Sequence, residues 1–159
     1  MKIQFILLGK AKEPFLKEGY QEYLKRLSGY AKTSLVFLPE EPLNENPSSL
    51  EIEKALDNEA LRALNQLKDN DLLILLDLHG KEYTSEEFAL ILKNEIDHGA
   101  SSLVFLVGSS CGISDLLRKR AAYKVSFGKM TTTHPLALLL SMEQVYRAFK
   151  INSGEKYHK

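Results

Sequence analysis

Asp71–Asp77 reads DLLILLD and Leu103–Val107 reads LVFLV, and these two stretches decide the fold. Each is too short for a stable helix, and each has apolar residues at successive positions, which predicts a strand buried on both faces. Strands of this kind are typical of parallel sheets, in which helices cover both faces. We therefore predict that both stretches lie inside a parallel α/β sheet.

The segments around these two strands alternate between strand and helix patterns. Further strands are predicted over Lys2–Leu8, Ser34–Leu38 and Tyr123–Ser126. Helices are predicted over Pro14–Leu27, from a capping box at Ser48–Glu51 to about Leu67, from a second capping box at Thr84–Glu87 to near Gly99, over Ser114–Ala121, and from Pro135 to about Lys150. This alternation predicts a single α/β domain over residues 1–159.

Bulk composition favours an ordinary globular protein of the cytoplasm. The chain has 159 residues, of which 44% are apolar, enough for one core. No apolar run reaches membrane-spanning length, and Met1–Gly9 fits a buried first strand better than a signal peptide. Cys111 is the only cysteine, which excludes an intrachain disulfide. We expect no association with a membrane.

The net charge of zero hides two segments of opposite sign. Arg118–Lys159 holds nine Lys or Arg and two acids, whereas residues 1–117 hold twelve bases and nineteen acids. The two segments therefore carry formal charges of +7 and −7. A cationic segment of this kind favours a polyanionic partner.

Loops that follow three predicted strands are the candidates for a ligand site. Ligands of parallel α/β sheets bind beyond the carboxyl ends of the strands, so the loops after Asp77, Val107 and Ser126 should form one site. Two glycines in Gly108–Gly112 would let the main chain approach a ligand closely, although an ordinary tight turn is the favoured explanation of the loop taken alone. Their spacing matches neither a dinucleotide fingerprint nor a P-loop, which argues against a Rossmann-type oxidoreductase.

Single polar residues near these loops allow more than one interpretation. Asp77 could contact a ligand or cap its loop, while His79 and Gly80 are expected to serve a turn. His134 could pack or cap the last helix, or could shape the ligand loop. Cys111 has no cysteine-protease signature around it, and one Cys with four scattered His gives no zinc-ligand spacing, so no metal is expected.

The last predicted helix, over residues 135–150, is apolar nearly all round. A helix without a polar face has to be covered on both sides. In a chain of this size, a second copy of the chain is the natural second cover. We therefore predict a homodimer with this helix in the interface.

The C-terminal residues mix bases with aromatic rings. Cations bind phosphates and aromatic faces stack on nucleobases, so the segment after Arg147 could bind RNA, or could be a frayed terminus. Glu143–Lys159, EQVYRAFKINSGEKYHK, closely resembles the C-terminus of the bacterial 23S rRNA (pseudouridine-N3)-methyltransferases, a family of the SPOUT superfamily. Leu76–Lys81 (LDLHGK) and Phe105–Gly108 (FLVG) resemble the same family, and the similarity runs along the whole chain.

The resemblance implies a SPOUT-type α/β fold with a C-terminal trefoil knot, an obligate homodimer, and methylation of pseudouridine at N3 in large-subunit ribosomal RNA. It implies S-adenosylmethionine as the methyl donor, no metal, and ribosomal RNA or the assembled ribosome as the partner. The positions that correspond to the donor contacts are Leu76, Gly108, Phe127, Gly128, Lys129, Met130, Thr131 and Thr132. The candidate catalytic residues are Arg147, Tyr157 and His158, with Lys119, Arg120, Lys124 and Lys150 on phosphates.

Two departures from the family pattern keep other functions open. The family loop reads Gly-Gly-x-x-Gly, whereas this chain has Ser109 at the second position, and Thr132-Thr133 stand where the family has an apolar residue and Pro before the histidine. Ser109 favours one alternative, an RNA-binding SPOUT dimer with weakened catalysis. The other alternative is a methyltransferase that acts on another RNA, such as tRNA.

Overall fold

The computed structural model describes all of residues 1–159. Its five strands are β1 (Lys2–Leu8), β2 (Lys32–Leu38), β3 (Leu72–Glu82), β4 (Ser102–Val107) and β5 (Tyr123–Ser126). Its five helices are α1 (Pro14–Leu27), α2 (Ser49–Leu64), α3 (Ser85–Asp97), α4 (Asp115–Arg120) and α5 (His134–Asn152). Every element predicted from the sequence is present, and β1, α1 and β5 have the predicted bounds.

All five strands form one parallel sheet, in the order β2-β1-β4-β3-β5. The two stretches that predicted the sheet pair with each other, Leu72 to Leu103 through Leu76 to Val107. Leu103, Val104, Phe105 and Leu106 of β4 are fully buried, as expected for a central strand with helices on both faces. The predicted parallel α/β sheet is therefore confirmed.

Successive residues of a strand point to opposite faces of the sheet. Because the central strand β4 is apolar almost throughout, both faces carry apolar side chains, and helices cover both faces. On one face, Phe5 and Phe105 pack with residues of α1, α3 and α5. On the other face, Ile6 and Leu106 pack with Ala60 and with residues of α2 and α4. The carboxyl ends of the strands remain uncovered at one edge of this sandwich.

Both predicted capping boxes fix a helix start. The Ser48 hydroxyl accepts a hydrogen bond from the Glu51 N–H at 3.2 Å, and the Glu51 carboxylate accepts one from the Ser48 N–H at 3.0 Å. Thr84 and Glu87 make the same reciprocal pair at 3.1 and 2.8 Å. Each box pairs N–H groups that have no partner within the helix.

Strand β3 does not end at Asp77, where the sequence predicted a loop. It continues to Glu82 and pairs with β5 a second time, at Lys81 to Val125, after an irregularity in register. Gly80 makes this possible because a Cβ there would lie 2.6 Å from the carbonyl carbon of Lys124. The prediction of a turn at His79 and Gly80 was wrong, since the glycine serves a close approach of two strands instead.

Helix α5 buries most of its surface against the sheet and its neighbouring helices. Leu138, Met142 and Val145 are fully buried, whereas Leu136 and Leu140 are 37% and 39% exposed on the outward face. Ala137, Leu139 and Gln144 are half-buried. The outward face of this helix is the part that the predicted second copy would cover, and the homodimer stays a prediction. The trefoil knot also stays a prediction.

No helix of the protein is both long enough and apolar enough to cross a membrane.

Replacement of Gly80 by alanine should destabilise the protein, because the new methyl group would collide with the backbone of β5. We expect a loss of about 1–3 kcal/mol in the free energy of unfolding, measured by urea denaturation. Gly29→Ala is the matched control, since a Cβ there would meet only the Arg26 carbonyl oxygen at an ordinary 3.7 Å. Equal stability of the two variants would contradict the close approach at Gly80.

Candidate active site

A cavity of about 750 Å³ opens at the carboxyl edge of the sheet. This volume lies in the range of sites that bind small molecules and cofactors. Three chain segments wall it, and they follow Leu76 in β3, the end of β4 and the end of β5. Seven of the eight predicted donor contacts line it: Leu76, Gly108, Phe127, Gly128, Met130, Thr131 and Thr132. Lys129 lies in the same segment, exposed to solvent, and is not part of the lining.

The Gly108–Gly112 loop forms the wall after β4. A Cβ at Gly108 would lie 2.5 Å from the Gly112 carbonyl oxygen and 2.5 Å from Cγ1 of Ile113, so only glycine fits there. Ser109 and Gly112 exchange main-chain hydrogen bonds of 3.2 and 3.0 Å, which pinch the loop. Gly112 has a φ of 111°, a conformation that favours glycine. The loop thus presents main chain to the cavity.

Ser109 does not present a free hydroxyl at this wall. The residue is 7% exposed, and its Oγ donates a hydrogen bond of 2.8 Å to the Glu59 carboxylate. The departure from the family glycine is therefore accommodated by a partner on α2. Ser109 in place of glycine was the observation that favoured an RNA-binding dimer with weakened catalysis. Its hydrogen bond to Glu59 explains how the loop accommodates this serine.

The 127–134 loop, which follows β5, forms a second wall. The Ser126 hydroxyl accepts a hydrogen bond from the Gly128 N–H and donates one to the Gly128 carbonyl, both at 3.1 Å, which holds the first turn of the loop. Met130 is 89% exposed, an unusual setting for a large apolar side chain, and Phe127 is also exposed. His134 is the first residue of α5, and its Nε2 lies 3.3 Å from a Glu40 carboxylate oxygen.

An ion pair between Asp77 and Arg118 lies at the edge of the cavity, and sequence patterns did not reveal it. Nε of Arg118 donates to Oδ2 of Asp77 at 2.7 Å, and the His79 N–H donates to Oδ1 at 3.1 Å. Burial alone would raise the pKa of Asp77, but the hydrogen bonds from Arg118 and His79 hold this pKa below its ordinary value. Asp77 thus stays ionised and supports its own segment, as one of its two predicted roles required.

The three predicted catalytic residues come together around Glu143 on the outward face of α5. The guanidinium of Arg147 donates to Glu143 at 2.5 Å and lies 3.2 Å from Nδ1 of His158. The Tyr157 hydroxyl donates to Glu143 at 3.1 Å, and Arg147 sits over the Tyr157 ring at 4.8 Å from its centre. We call Glu143, Arg147, Tyr157 and His158 the tail cluster.

Further contacts hold the C-terminal residues against their own chain. Tyr157 packs edge-on against Tyr146, with ring centres 5.0 Å apart, and Nε2 of His158 lies 2.6 Å from a Glu86 carboxylate oxygen. Burial, together with hydrogen bonds to Tyr23 and Glu143, raises the pKa of Tyr157 to about 12, so its hydroxyl is protonated at neutral pH. The last residues are thus docked rather than frayed.

Within one chain, the tail cluster and the cavity are separate. Ala137 lines the cavity, and none of Arg147, Tyr157 and His158 does. Ten residues of helix separate Ala137 from Arg147, which corresponds to about 15 Å along the axis of α5. The single chain therefore does not bring the predicted catalytic residues to the predicted donor contacts.

The four predicted phosphate contacts fall into two kinds. Lys119 and Lys124 are exposed and make no ion pair. Arg120 donates to the carbonyl oxygens of Lys68 and Asp71, and Lys150 pairs with Glu155. The first two are thus available to a polyanion, whereas the last two already have partners in the fold.

No group of three or more His, Cys, Asp or Glu side chains is placed to hold a metal ion.

Comparison with known proteins extends the similarity of the tail motif to the whole chain. A family model described as "Predicted SPOUT methyltransferase" matches residues 1–158. Similar proteins from Bacillus cereus, Bacillus thuringiensis and Bacillus anthracis, each named "Ribosomal RNA large subunit methyltransferase H", are 45% identical over 159 residues, which is 100% of both chains. The matched region includes both the cavity residues and the tail cluster.

Replacement of Arg118 by alanine should destabilise the protein at pH 7, because it leaves the buried Asp77 carboxylate without its cation. We expect a loss of about 2 kcal/mol, below the usual cost of breaking a buried pair because Arg118 is partly exposed. The folded-state pKa of Asp77 is depressed, so the stability from this pair is present above the unfolded-state pKa and is lost as the pH falls through the folded-state value. Urea unfolding at a series of pH values should therefore show the difference narrowing in acid.

The exposed neighbour Lys119, replaced by alanine, is the control for this measurement and should leave stability unchanged. A difference between the Arg118 variant and the parent that stayed constant from pH 7 into acid would contradict the assignment to Asp77.

Proposed function

This chain belongs to the SPOUT methyltransferase family, and on that premise we propose that it methylates pseudouridine at N3 in large-subunit ribosomal RNA, with S-adenosylmethionine as donor. The proposed active form is a homodimer. With ribosomal RNA as the substrate, we expect the activity in the cytoplasm. The relatives are named for ribosomal RNA of the large subunit, and this chain matches them over its full length.

The observation that carries this proposal is the cavity at the carboxyl edge of the sheet. Its volume suits a nucleoside-sized cofactor, and its walls combine apolar side chains with exposed main chain, as binding of an adenine ring requires. Leu76, Ile113 and Met130 would contact the apolar parts of the donor, and the main chain at Gly108, which lies in the lining of the cavity, would face it. When bound, the donor supplies an electrophilic methyl group on a positively charged sulfur.

The tail cluster would act on the nucleobase. N3 of pseudouridine carries a proton that has to leave before or during methyl transfer. His158 would accept it at Nδ1 once the base displaces the Arg147 guanidinium from that nitrogen, while Nε2 stays against the Glu86 carboxylate. Arg147 would stabilise the negative charge that develops on the base as the proton leaves. Tyr157, protonated at neutral pH, would hold the ring by stacking or by a hydrogen bond. Glu143 keeps Arg147 and Tyr157 in one arrangement.

A second chain would bring its tail cluster next to the cavity of the first chain. Leu136, Leu140, Glu143 and Arg147 follow each other at helical spacing, so they form one outward stripe on α5. If two copies of α5 pack antiparallel along this stripe, the Arg147 end of one helix lies beside the cavity end of the other. Each active site would then combine the cavity of one protomer with the tail cluster of its partner, and the exposed leucines would be buried.

The substrate can be identified directly by a nucleoside digest. The purified protein and S-adenosylmethionine, incubated with large ribosomal subunits, should raise the amount of N3-methylpseudouridine detected by mass spectrometry. A reaction without donor and one with the Arg147→Ala variant should show no increase. Methylation of another nucleoside, or of tRNA offered in the same assay, would contradict the proposed substrate.

The shared active site can be tested by mixing two inactive variants. Arg147→Ala removes the proposed catalytic cation, and Thr131→Trp fills the donor cavity from an exposed position. After exchange of subunits, half of the dimers combine both variants, and one of their two sites has an intact cavity and an intact partner tail. Methylation should return to about one quarter of the parental rate.

Each variant alone should stay inactive, which is the control for the mixture. A mixture as inactive as its components would show that cavity and tail act within one chain. The oligomeric state of both variants, measured by light scattering, should match that of the parent protein.

A further inference from the structure

A buried carboxylate without a cationic partner lies behind the Gly108–Gly112 loop. Glu59 of α2 is 3% exposed, and no Lys, Arg or His lies within ion-pair distance of it. Arg62, one turn further along the helix, pairs with Glu41 instead. Burial of an ionised group without a cation is costly unless hydrogen bonds compensate it.

Two hydrogen bonds account for both oxygens of Glu59. Oε2 accepts from the Ser109 hydroxyl at 2.8 Å, and Oε1 accepts from the Glu41 N–H at 2.9 Å. The first bond attaches the wall of the cavity to α2, and the second attaches the segment between β2 and α2 to the same side chain. Ser109 also pinches the loop through its main-chain bonds with Gly112. Glu59 thus holds the loop at the residue where the loop turns back on itself.

Glu40 links this loop to the 127–134 loop. Its carboxylate accepts hydrogen bonds of 3.3 Å from the N–H and from the hydroxyl of Ser110, and it lies 3.3 Å from Nε2 of His134. Ser110 and His134 both line the cavity, one from each loop. Because Glu40 and Glu41 are adjacent in sequence, the anchor at Glu59 also fixes the position of this link.

From these contacts we infer that Glu59 and Ser109 are positioning residues of the donor site, which hold the Gly108–Gly112 loop in its binding shape before the donor arrives. The identity of the ligand rests on the proposed function. A loop that is already ordered loses less conformational freedom when a ligand binds, which strengthens binding. In this chain, the hydroxyl of the serine attaches the loop to α2. A second glycine at this position could not attach the loop, since glycine has no side chain.

Donor affinity is the first test of this inference. Ser109→Ala and Glu59→Leu should each weaken the binding of S-adenosylhomocysteine by about tenfold in calorimetry, since each leaves a buried polar group without its partner. The double variant should bind no worse than the weaker single variant, because both changes remove the same link. Steady-state kinetics should show a raised KM for the donor with kcat nearly unchanged.

Glu53→Leu is the matched control, because it makes the same chemical change on the exposed face of the same helix. It should bind S-adenosylhomocysteine like the parent protein. Unchanged affinity in Ser109→Ala, or losses that add in the double variant, would overturn the inference. If Glu59→Leu does not fold, Ser109→Ala alone decides, because that change removes only the hydroxyl.

The shape of the free loop is the second test and needs no ligand. Amide hydrogen exchange in a peptide that spans residues 105–115 should be at least about tenfold faster in Ser109→Ala than in the parent, since the pinch between Ser109 and Gly112 would open more often. Equal exchange in the two proteins would overturn the inference. A parent protein that binds no S-adenosylhomocysteine would instead contradict the proposed function, so the two failures can be told apart.

Discussion

The carboxyl edge of the sheet depends on two glycines, Gly80 and Gly108. At each of them, two stretches of main chain lie so close together that no side chain would fit. At Gly80, the extension of β3 lies against β5, which fixes where the 127–134 loop begins. At Gly108, the end of β4 lies against Gly112, which closes the other wall. A methyl group at either position would have to displace backbone, and both walls of the cavity would move with it.

Elements of the fold followed from local sequence, because hydrophobic period and capping chemistry are local properties. The runs DLLILLD and LVFLV and the boxes at Ser48 and Thr84 each specify an element by themselves. The continuation of β3 beyond Asp77 could not be predicted, because its partner strand lies more than forty residues further along the chain. Gly80 was visible in the sequence, but a glycine that permits a turn and one that permits a close approach look identical there.

As with the fold, the parts of the candidate site that have a local sequence signal were predicted, and the contacts between distant residues were not. The rule that ligands bind beyond strand ends pointed to three loops, and the family resemblance supplied particular residues within them. The ion pair of Asp77 with Arg118 and the hydrogen bond of Ser109 with Glu59 escaped prediction, because each joins residues at least forty positions apart. Glu40, Glu59 and Asp77 of the acidic segment support the cavity, and Arg118 of the basic segment pairs with Asp77 at its edge, while Arg147 lies on the outward face of α5.

In the proposed dimer, the spacing between Ala137 and Arg147 along α5 sets the distance between the cavity at one end of the helix and the tail cluster at the other. One residue inserted between Ala137 and Arg147 would advance the second by about 1.5 Å and rotate it by about 100° about the axis, off the outward stripe. Only insertions or deletions close to whole helical turns would keep Arg147 pointing in the same direction, and each turn would move Arg147 by about 5 Å along the axis. In a dimer in which each α5 carries its tail cluster to the cavity of the partner, such a displacement would occur at both active sites. In the proposed dimer, the number of residues between Ala137 and Arg147 is therefore constrained by the turns of this helix.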